Sequence, residues 1–333
     1  MNQATRGARC WLLVLLTVAH GCSLVRGRSS DHWEARELVQ HPLVGTIWDV
    51  AARKEIDPAT LLDRLASDVY VLLGDKHDNP DHHRLQARIL SGLVARGRRP
   101  AVAFEPMTVD RSGALAEVLV LHSPTPERVV EAVARSDQNW PWRLYAPVIA
   151  EALRANLPIV AADLDPAWVR QLHMSGVAGL DPALRAALGL SVELPPAGRS
   201  QLEEDIRRSH CGHAVAQIAE RMIDAQRARD AQLARALLDA GADGAVLIAG
   251  NGHVRRGIDV PLYLAHSAPS ASVASVGLLE VSPDHASFDA ALASEGTAPF
   301  DYVWFTPRVD LDDPCERFRE QLRKMHVLHD TGG

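Results

Sequence analysis

The sequence is poor in cysteine and in positive charge, and it lacks several catalytic signatures. Its 333 residues include four cysteines, and the formal net charge is −7. An acidic chain offers no basic face for phosphate contact, so we expect no nucleic acid partner. No Gly-x-Ser-x-Gly elbow, Walker loop or His-Glu-x-x-His motif occurs, which argues against those types of hydrolase, nucleotide-binding protein and metalloprotease.

The amino-terminal apolar run is too short to span a membrane. Trp11–Ala19 follows the basic residues Arg6 and Arg9, an order typical of a bacterial secretory signal peptide. The residues leading to Cys22 resemble a lipoprotein processing site. We therefore expect residues 1–21 to be a signal peptide and Cys22 to carry lipid. The alternative is an ordinary cleaved signal peptide.

Removal of the signal peptide leaves a more acidic chain. Two arginines and no acids are removed, so the formal charge changes from −7 to −9. Ser23 follows the lipidated cysteine, and the absence of Asp there predicts anchoring to the outer membrane, facing the periplasm. In that oxidising compartment Cys211 and Cys315 could pair. The alternative is that they are two buried thiols.

Four short apolar runs each end on an acidic residue or a histidine, and two of them lead into the same motif, Gly-x-x-His. Such runs, with helical patterns between them, are typical of buried strands in a parallel sheet. We therefore predict an α/β fold with a parallel-rich central sheet and helices on both faces, a three-layer αβα arrangement. The runs are Val69–Leu73, Ala101–Phe104, Ile159–Ala162 and Ala245–Ala249.

The rest of the pattern divides the chain into segments. We expect a tether over residues 22–40, one α/β domain over residues 41–310 and a helix over residues 311–333. Glycine and proline recur within residues 172–204, which we interpret as helical pieces and loops that could cap the site. Further helices are predicted over residues 80–96, 109–121, 126–135, 143–156 and 214–240, and further strands over residues 272–279 and 302–305.

Polar side chains follow the predicted strands at one edge of the sheet. Ligands bind outside the carboxyl ends of parallel strands, so we expect Asp75, His77, Glu105, Asp163 and His253 to share one rim. A glycine three residues before each histidine would let the backbone turn and point the imidazole over the sheet edge. Imidazole and carboxylate groups are metal ligands and general acids or bases. The alternative is a set of hydrogen-bonded loop residues and a structural ion pair.

An aromatic loop forms a second candidate site. Tyr145 stands close to Trp140 and Trp142. An exposed aromatic cluster suits a flat apolar ligand, and tyrosine is a known axial ligand of haem iron. No Cys-x-x-Cys-His motif is present, so covalent attachment of a c-type haem is excluded. The alternative is a loop anchored by its tryptophans.

Several polar residues lie on predicted helices near these sites. Gln226 and Asp230 share one helix face and either line a pocket or satisfy each other. We expect Arg229 to lie in solvent. His82 and His83 fall in the first turn of a predicted helix, where we expect a solvated helix start.

Several separate motifs, in order over residues 45–265, resemble the ChaN-like family of haem-binding lipoproteins. That family is similar to a superfamily with TIKI proteases, TraB proteins and erythromycin esterases. The resemblance implies an α/β fold with a parallel-rich sheet, a lipid anchor and haem binding for iron uptake, and it leaves open a homodimer. The motifs are Gly74–His83 with Gln86, Phe104–Met107, Trp140 with Tyr145, His210–Gly212, Met222 with Gln226, Arg229 and Asp230, and Ala249–Val254.

The first function that we consider is a haem-binding lipoprotein. The cofactor would contact Tyr145, His77, Trp140 and His253, with Tyr145 as the iron ligand. Basic side chains nearby would meet the propionates.

The second function is a metal-dependent or metal-free hydrolase of the superfamily, with His77 and His253 as metal ligands or base and Glu105 activating water. Asp75, His77, Glu105 and His253 would be catalytic, and a divalent metal would be held by His77, His253, Glu105 and Asp163. The first motif of the superfamily usually reads Gly-Glu-x-His, and Asp75 stands in place of the glutamate. Its side chain is shorter by one methylene, which weakens a transferred hydrolase mechanism and affects binding less.

Overall fold

The structure, a computed structural model, describes most of the chain except its two ends and a few short internal segments. The predicted signal peptide, the predicted lipidation site Cys22, the first part of the predicted tether and most of the predicted helix over residues 311–333 lie outside the described residues. The structure describes residues 32–134, 140–212, 216–241, 243–294, 299–313, 315–316 and 319.

The described part of the chain is centred on one sheet of eight strands. The strands are β1 (Ile47–Asp49), β2 (Lys54–Ile56), β3 (Tyr70–Asp75), β4 (Ala101–Thr108), β5 (Ile159–Asp163), β6 (Ala245–Gly250), β7 (Val273–Glu280) and β8 (Tyr302–Thr306). Their order is β2-β1-β8-β7-β3-β6-β4-β5. Strands β3 to β8 are parallel to their neighbours among themselves, and β1 and β2 add an antiparallel edge. The predicted parallel-rich sheet and its six predicted strands are confirmed.

Helices pack on both faces of this sheet. They are α1 (Pro58–Leu65), α2 (Pro80–Ala95), α3 (Ser112–Leu119), α4 (Pro126–Val133), α5 (Ala146–Arg154), α6 (Pro166–Ser175), α7 (Pro182–Ala187), α8 (Pro196–Ser209), α9 (Ala216–Leu238), α10 (Val260–Ser267) and α11 (Phe288–Ser294). Helices α1 to α5 share a core with one face, and α6, α9, α10 and α11 share a core with the other. The predicted three-layer arrangement is therefore confirmed. Among the helices of the described residues, none is both long enough and apolar enough to cross a membrane.

The central strands are apolar on both faces because both faces are covered. In β3, Val71 and Leu73 belong to the core beneath α2, whereas Tyr70 and Leu72 belong to the core beneath α9. Successive side chains of a strand point to opposite faces, so a strand between two helical layers needs an unbroken apolar run. This requirement explains why the strand runs stand out in the sequence.

The described part of the predicted tether packs against the domain. Ala35 is 5% exposed, and the backbone N–H groups of Glu34 and Ala35 donate to the carboxylate of Asp81. Glu37 forms an antiparallel bridge with Arg308. These contacts run largely through the backbone, so the polar composition of the segment did not predict them. The folded domain therefore begins before residue 41.

Candidate functional site

The carboxyl ends of β3, β4 and β6 bring two histidines to one carboxylate. Gly250 donates its backbone N–H to Oε2 of Glu105 at 2.7 Å. Nε2 of His253 lies 3.3 Å from Oε1 of Glu105, and Nε2 of His77 lies 3.9 Å from Oε2. Glu105 is 3% exposed. Both Gly-x-x-His motifs thus meet at the shared sheet edge that the strand pattern indicates.

The glycines of the two motifs are required by close packing between adjacent strands. Asp75 of β3 is the register partner of Gly250 of β6. A Cβ on Gly250 would lie 2.8 Å from Cε1 of His77, and a Cβ on Gly74 would lie 2.3 Å from Oδ1 of Asn251. Neither glycine is among the residues with positive φ, so the motifs do not depend on the left-handed backbone conformation that glycine allows. Each motif instead makes room for a side chain of the other.

His253 lies between two carboxylates. Its Nδ1 lies 2.6 Å from Oδ1 of Asp230, and its Nε2 faces Glu105. Burial lowers the pKa of His253, but the charges of Glu105 and Asp230 outweigh burial and raise it to about 10. The two carboxylates therefore favour the protonated form of the imidazole. The amide nitrogen of Gln226 lies 3.1 Å from the same Nδ1, so Gln226 and Asp230 both contact this histidine.

Arg229 of α9 binds two carboxylates of the rim, those of Glu105 and Asp163. Its Nη2 donates to Oε1 of Glu105 and to Oδ2 of Asp163, at 2.7 Å in both cases, and its Nε donates to Asp163 at 3.0 Å. The expectation that Arg229 lies in solvent is wrong, since its side chain is 26% exposed. Burial raises the pKa of Glu105, but His253 and Arg229 outweigh it and hold that pKa well below its usual range. Glu105 is consequently a weak base.

The rim does not fit a divalent metal. Its predicted ligands were His77, His253, Glu105 and Asp163, yet both carboxylates are already paired with Arg229. A second cation in this position would be repelled by the guanidinium. Across the described residues, no group of three or more His, Cys, Asp or Glu side chains is placed to hold a metal ion. The metal prediction is corrected accordingly, and the metal-dependent hydrolase loses its main support.

His77 is the partly accessible histidine of the rim. Its Nδ1 lies 2.8 Å from Oδ1 of Asp75, and its side chain is 32% exposed. Burial lowers the pKa of His77, but the hydrogen bond to Asp75 and the charge of Glu105 raise it above the ordinary value. Asp75 also accepts a hydrogen bond from the amide of Gln86 at 2.7 Å. Asp75, which stands in place of the glutamate of the motif, therefore positions His77.

Tyr145 lies beneath the aromatic loop. It is 1% exposed, its ring stacks with that of Trp140 at 6.3 Å, and its hydroxyl lies 3.2 Å from Nδ1 of His77. Burial, with the charges of Asp75 and Glu105, raises the pKa of Tyr145 far above its ordinary value. The expected exposed aromatic cluster is thus wrong for Tyr145, and the phenolate that would ligate iron is disfavoured there.

His82 and His83 are both buried, contrary to the expected solvated helix start. Each is 0% exposed. His82 accepts a hydrogen bond from the backbone N–H of Lys76 at 2.8 Å and contacts the hydroxyl of Thr306 at 2.8 Å. Nε2 of His83 lies 2.9 Å from the carbonyl oxygen of His77. The two histidines therefore fix the loop that carries the first motif.

A cavity of about 820 Å³ opens beside the rim. Asp163 and Arg229 border it, and α6, α8 and α9 supply most of its lining. Part of the segment predicted as a cap, including His173 and Leu202, borders this cavity. Its apolar lining consists of Leu164, Pro166, Val169, Leu202, Ile206, Met222, Ala225 and Phe300, and its basic lining consists of Arg170, His173, Arg208, Arg229 and Arg255.

Sequence reasoning missed this cavity, although one signal was available. Leu202, Asp205 and Ser209 recur at helical spacing on α8, and Met222, Gln226 and Arg229 do so on α9. Side chains three or four residues apart share a helix face. The spacing identifies two faces, but it does not indicate that they oppose each other.

A disulfide bond joins Cys211 to Cys315, with their Cα atoms 5.5 Å apart. Of the two alternatives for these cysteines, pairing is therefore the one found. Cys211 lies two residues after Ser209, which lines the cavity and is the last residue of α8. The bond ties this end of the cavity lining to the carboxyl-terminal segment.

Several solved structures are similar to this chain, and the one with a TM-score above 0.5 among those described next supports the α/β architecture. ChaN of Campylobacter jejuni, described as binding haem cofacially, is 19% identical, with 78% of this chain and 95% of that chain covered and a TM-score of 0.62. A mutant of the erythromycin esterase EreC in its open conformation is 13% identical, with coverages of 80% and 99% and a TM-score of 0.47. The type III effector HopBA1 is 13% identical, with coverages of 76% and 99% and a TM-score of 0.42. No curated protein matches the chain.

The family assignment comes from the sequence match. The family described as haem-binding uptake, Tiki superfamily, ChaN matches residues 61–264, which is more than half of the chain. The protein belongs to this family. The resemblance given by the separate motifs is therefore confirmed.

The cavity has the donor set that haem requires. Its volume lies within the range of roughly 300–1,000 Å³ that is usual for small-molecule and cofactor sites. Apolar side chains such as Val169 and Phe300 suit a porphyrin ring, and arginines such as Arg170 suit its propionates. His173 and Met222 carry atoms that ligate haem iron. Of the two candidate sites, the cavity fits the group better than buried Tyr145 does.

Proposed function

We propose that this protein is an outer-membrane-associated lipoprotein that binds haem for iron uptake. Membership of the haem-binding family supports the ligand, and the relative with the shared fold is described as binding haem. The observation that supports haem binding most directly is the cavity beside the rim, whose lining combines apolar side chains with arginines. Haem has the matching chemistry, since it is a flat apolar ring with two carboxylates.

The proposed location is supported by two features of the chain. The amino terminus resembles a lipoprotein signal that ends at Cys22. The disulfide between Cys211 and Cys315 suits an oxidising compartment such as the periplasm. Fractionation of cells fed with labelled palmitate measures this directly: we expect label in the outer membrane and its loss in Cys22→Ser. Label in wild type and variant alike, or a protein found in the cytoplasm, would contradict the location.

Hemin titration of the mature protein tests the ligand. We expect saturable binding with a Soret change, and Val169→Glu should weaken it about tenfold or more, because a carboxylate would enter the apolar lining. Val120→Glu is the matched control, since Val120 is 83% exposed on the surface outside the cavity. Absence of saturable binding by the wild-type protein would contradict the proposal. Equal affinity in all three proteins would place haem elsewhere.

The homodimer remains a prediction. Sedimentation of the mature protein with and without hemin measures it. A mass that doubles when hemin is added would support a haem-linked dimer, and a monomer under both conditions would contradict it.

A further inference from the structure

The carboxyl-terminal half of helix α8 forms part of the cavity wall although it buries little. The buried residues of α8 are Gly198 and Leu202, and both lie in its first half. The segment from Asp205 to Ser209 supplies four side chains to the cavity lining, and each of the four is half-buried or exposed. Helices in proteins are stabilised chiefly by the packing of an apolar face. This half of α8 therefore depends on other contacts to stay in place.

Two contacts tie this half of α8 to the rest of the molecule. The guanidinium of Arg255, which follows the second Gly-x-x-His motif, binds the carboxylate of Asp205. The disulfide bond joins Cys211, two residues after the helix, to Cys315. The remaining hydrogen bonds and ion pairs of the described residues 205–212 stay within α8, within the turn after it or at the disulfide itself.

Cys315 belongs to a segment that is bonded firmly to the carboxyl edge of the sheet. This segment, the strap, comprises the described residues 307–313 and 315. The carbonyl oxygen of Pro307 accepts a hydrogen bond from the side-chain amide of Asn79 at 3.1 Å, and the backbone N–H of Val309 donates to Glu280 at 3.0 Å. The disulfide thus connects a loosely packed part of the cavity wall to a firmly held segment.

The turn after α8 has a backbone conformation that favours glycine at the position of Cys211. The φ angles of Cys211 and Gly212 are 54° and 77°. The N–H of Gly212 donates to the carbonyl oxygen of Arg207 at 2.8 Å, and that of Cys211 donates to Arg208 at 3.0 Å, which is a Schellman arrangement. Glycine is usual at the first left-handed position, because a Cβ disfavours this region. The disulfide therefore stabilises a turn that the backbone preference of cysteine disfavours.

A dithiol in solution can reach and reduce this bond. Cys211 and Cys315 are both half-buried, so the bond is not enclosed in the core. One thiolate of the dithiol attacks a sulfur of the bond, and its second thiolate then displaces the mixed disulfide. The products are two cysteine thiols, which take up the two protons of the dithiol, and the oxidised reductant. An oxidising disulfide reverses the reaction.

We propose that the bond between Cys211 and Cys315 is a reversible redox latch on the cavity wall. In the oxidised protein it holds the carboxyl-terminal half of α8 to the strap. After reduction by a dithiol, residues 203–212 unwind locally and the cavity opens on this side, while the sheet and its core helices stay folded. The latch does not depend on which ligand occupies the cavity, so it is independent of the proposed haem binding.

Hydrogen exchange followed by mass spectrometry tests the latch in the whole mature protein. Samples are kept oxidised or treated with dithiothreitol without denaturant, and carbamidomethylation counts the thiols released. Exchange times are set so that the core helix α2 stays protected in the oxidised protein. We expect residues 203–212 to exchange about tenfold or more faster after reduction, and oxidised glutathione should restore their protection. The double variant Cys211→Ser with Cys315→Ser should exchange fast at these residues with and without dithiothreitol.

Trypsin gives a second measurement that needs no reductant. Arg207 and Arg208 are exposed on α8, and cleavage within a helix requires its local opening. Cleavage at these arginines should be about tenfold or more faster in the double variant than in the wild-type protein. Cleavage at Arg235, whose side chain is 47% exposed within α9, should be unchanged and is the matched control.

Three results would overturn the latch. In the first, dithiothreitol leaves the bond intact in the folded protein. In the second, the bond is reduced but residues 203–212 stay as protected, and Arg207 and Arg208 as resistant to trypsin, as before. In the third, α2 and α8 lose protection together, because the disulfide would then stabilise the whole fold.

Discussion

Replacing Arg229 with methionine removes the cation that two buried carboxylates share. Glu105 is 3% exposed and Asp163 is 6% exposed, and both accept hydrogen bonds from the guanidinium at 2.7 Å. Removing one partner of a buried ion pair costs about 3–5 kcal/mol, because the remaining charge stays buried. We therefore expect Arg229→Met to lower the free energy of unfolding by about that amount at pH 7.

Urea denaturation at constant temperature measures this loss, and two further variants assign its cause. Arg235→Met is the control. Arg235 lies on the same helix as Arg229, but its ion pair with Asp239 is exposed, with exposed fractions of 47% and 72% for the two side chains. Such surface pairs contribute about 0–1 kcal/mol. A triple variant with Glu105→Gln and Asp163→Asn carries no buried charge at these positions and should recover most of the stability.

The pH dependence supplies an independent check. Lowering the pH lets the unpaired carboxylates of Arg229→Met take up protons, so the gap between this variant and the wild-type protein should narrow. Equal losses for Arg229→Met and Arg235→Met, or a triple variant no more stable than the single one, would refute the assignment of Arg229 as the shared cation.

Three further predictions concern packing, cross-linking and protonation. Gly250→Ala should be strongly destabilising in urea, because its Cβ would lie 2.8 Å from an imidazole carbon. Gly252→Ala, with nothing within 4 Å of its Cβ, should not, and equal effects would contradict the packing argument. The double variant Cys211→Ser with Cys315→Ser should lose about 2–5 kcal/mol of stability. Dithiothreitol should then lower the urea midpoint of the wild-type protein only, and a drop in both proteins would contradict this. The pKa of His253 is raised to about 10 in the folded protein, compared with about 6.5 in the unfolded chain. The charged imidazole should therefore stabilise the folded state fully below pH 6.5, and this contribution should be lost as the pH rises through 10. Unfolding from pH 6.5 to 10.5 should therefore show a steeper decline for wild type than for His253→Gln, and parallel declines would contradict it.

The central strands could be predicted because burial on both faces leaves an unbroken apolar run. β3 and β6 are buried at every position, and such runs are readable in the sequence alone. The hairpin of β1 and β2 could not be predicted. Each of these strands has three residues, and β2 exposes two of them, so neither shows a clear alternation.

The rim was predictable in position but not in electrostatics. Strand ends in a parallel sheet meet at one edge, which is why Glu105 and His253 could be placed together. Arginine and histidine are usually exposed or intermediate in burial, so Arg229 and His82 were placed in solvent. The burial of Arg229 depends on two carboxylates that lie 124 and 66 residues away in the sequence. Local patterns contain no information about such pairs.

The cavity was also beyond local reasoning. Its lining combines side chains from α6, α8 and α9 with others from strand ends, and their relative placement is set by tertiary packing. The aromatic loop near Tyr145 was easier to recognise in the sequence than the cavity was. Its predicted exposure was wrong for Tyr145, which is 1% exposed. Aromatic residues occur both in buried cores and in binding sites.

Crystals of the mature protein grown with hemin would locate the iron by its anomalous scattering. We predict one iron peak per chain in the cavity between α6, α8 and α9. A peak against the Trp140 loop, or no ordered iron in protein that binds hemin in solution, would contradict a haem site in this cavity.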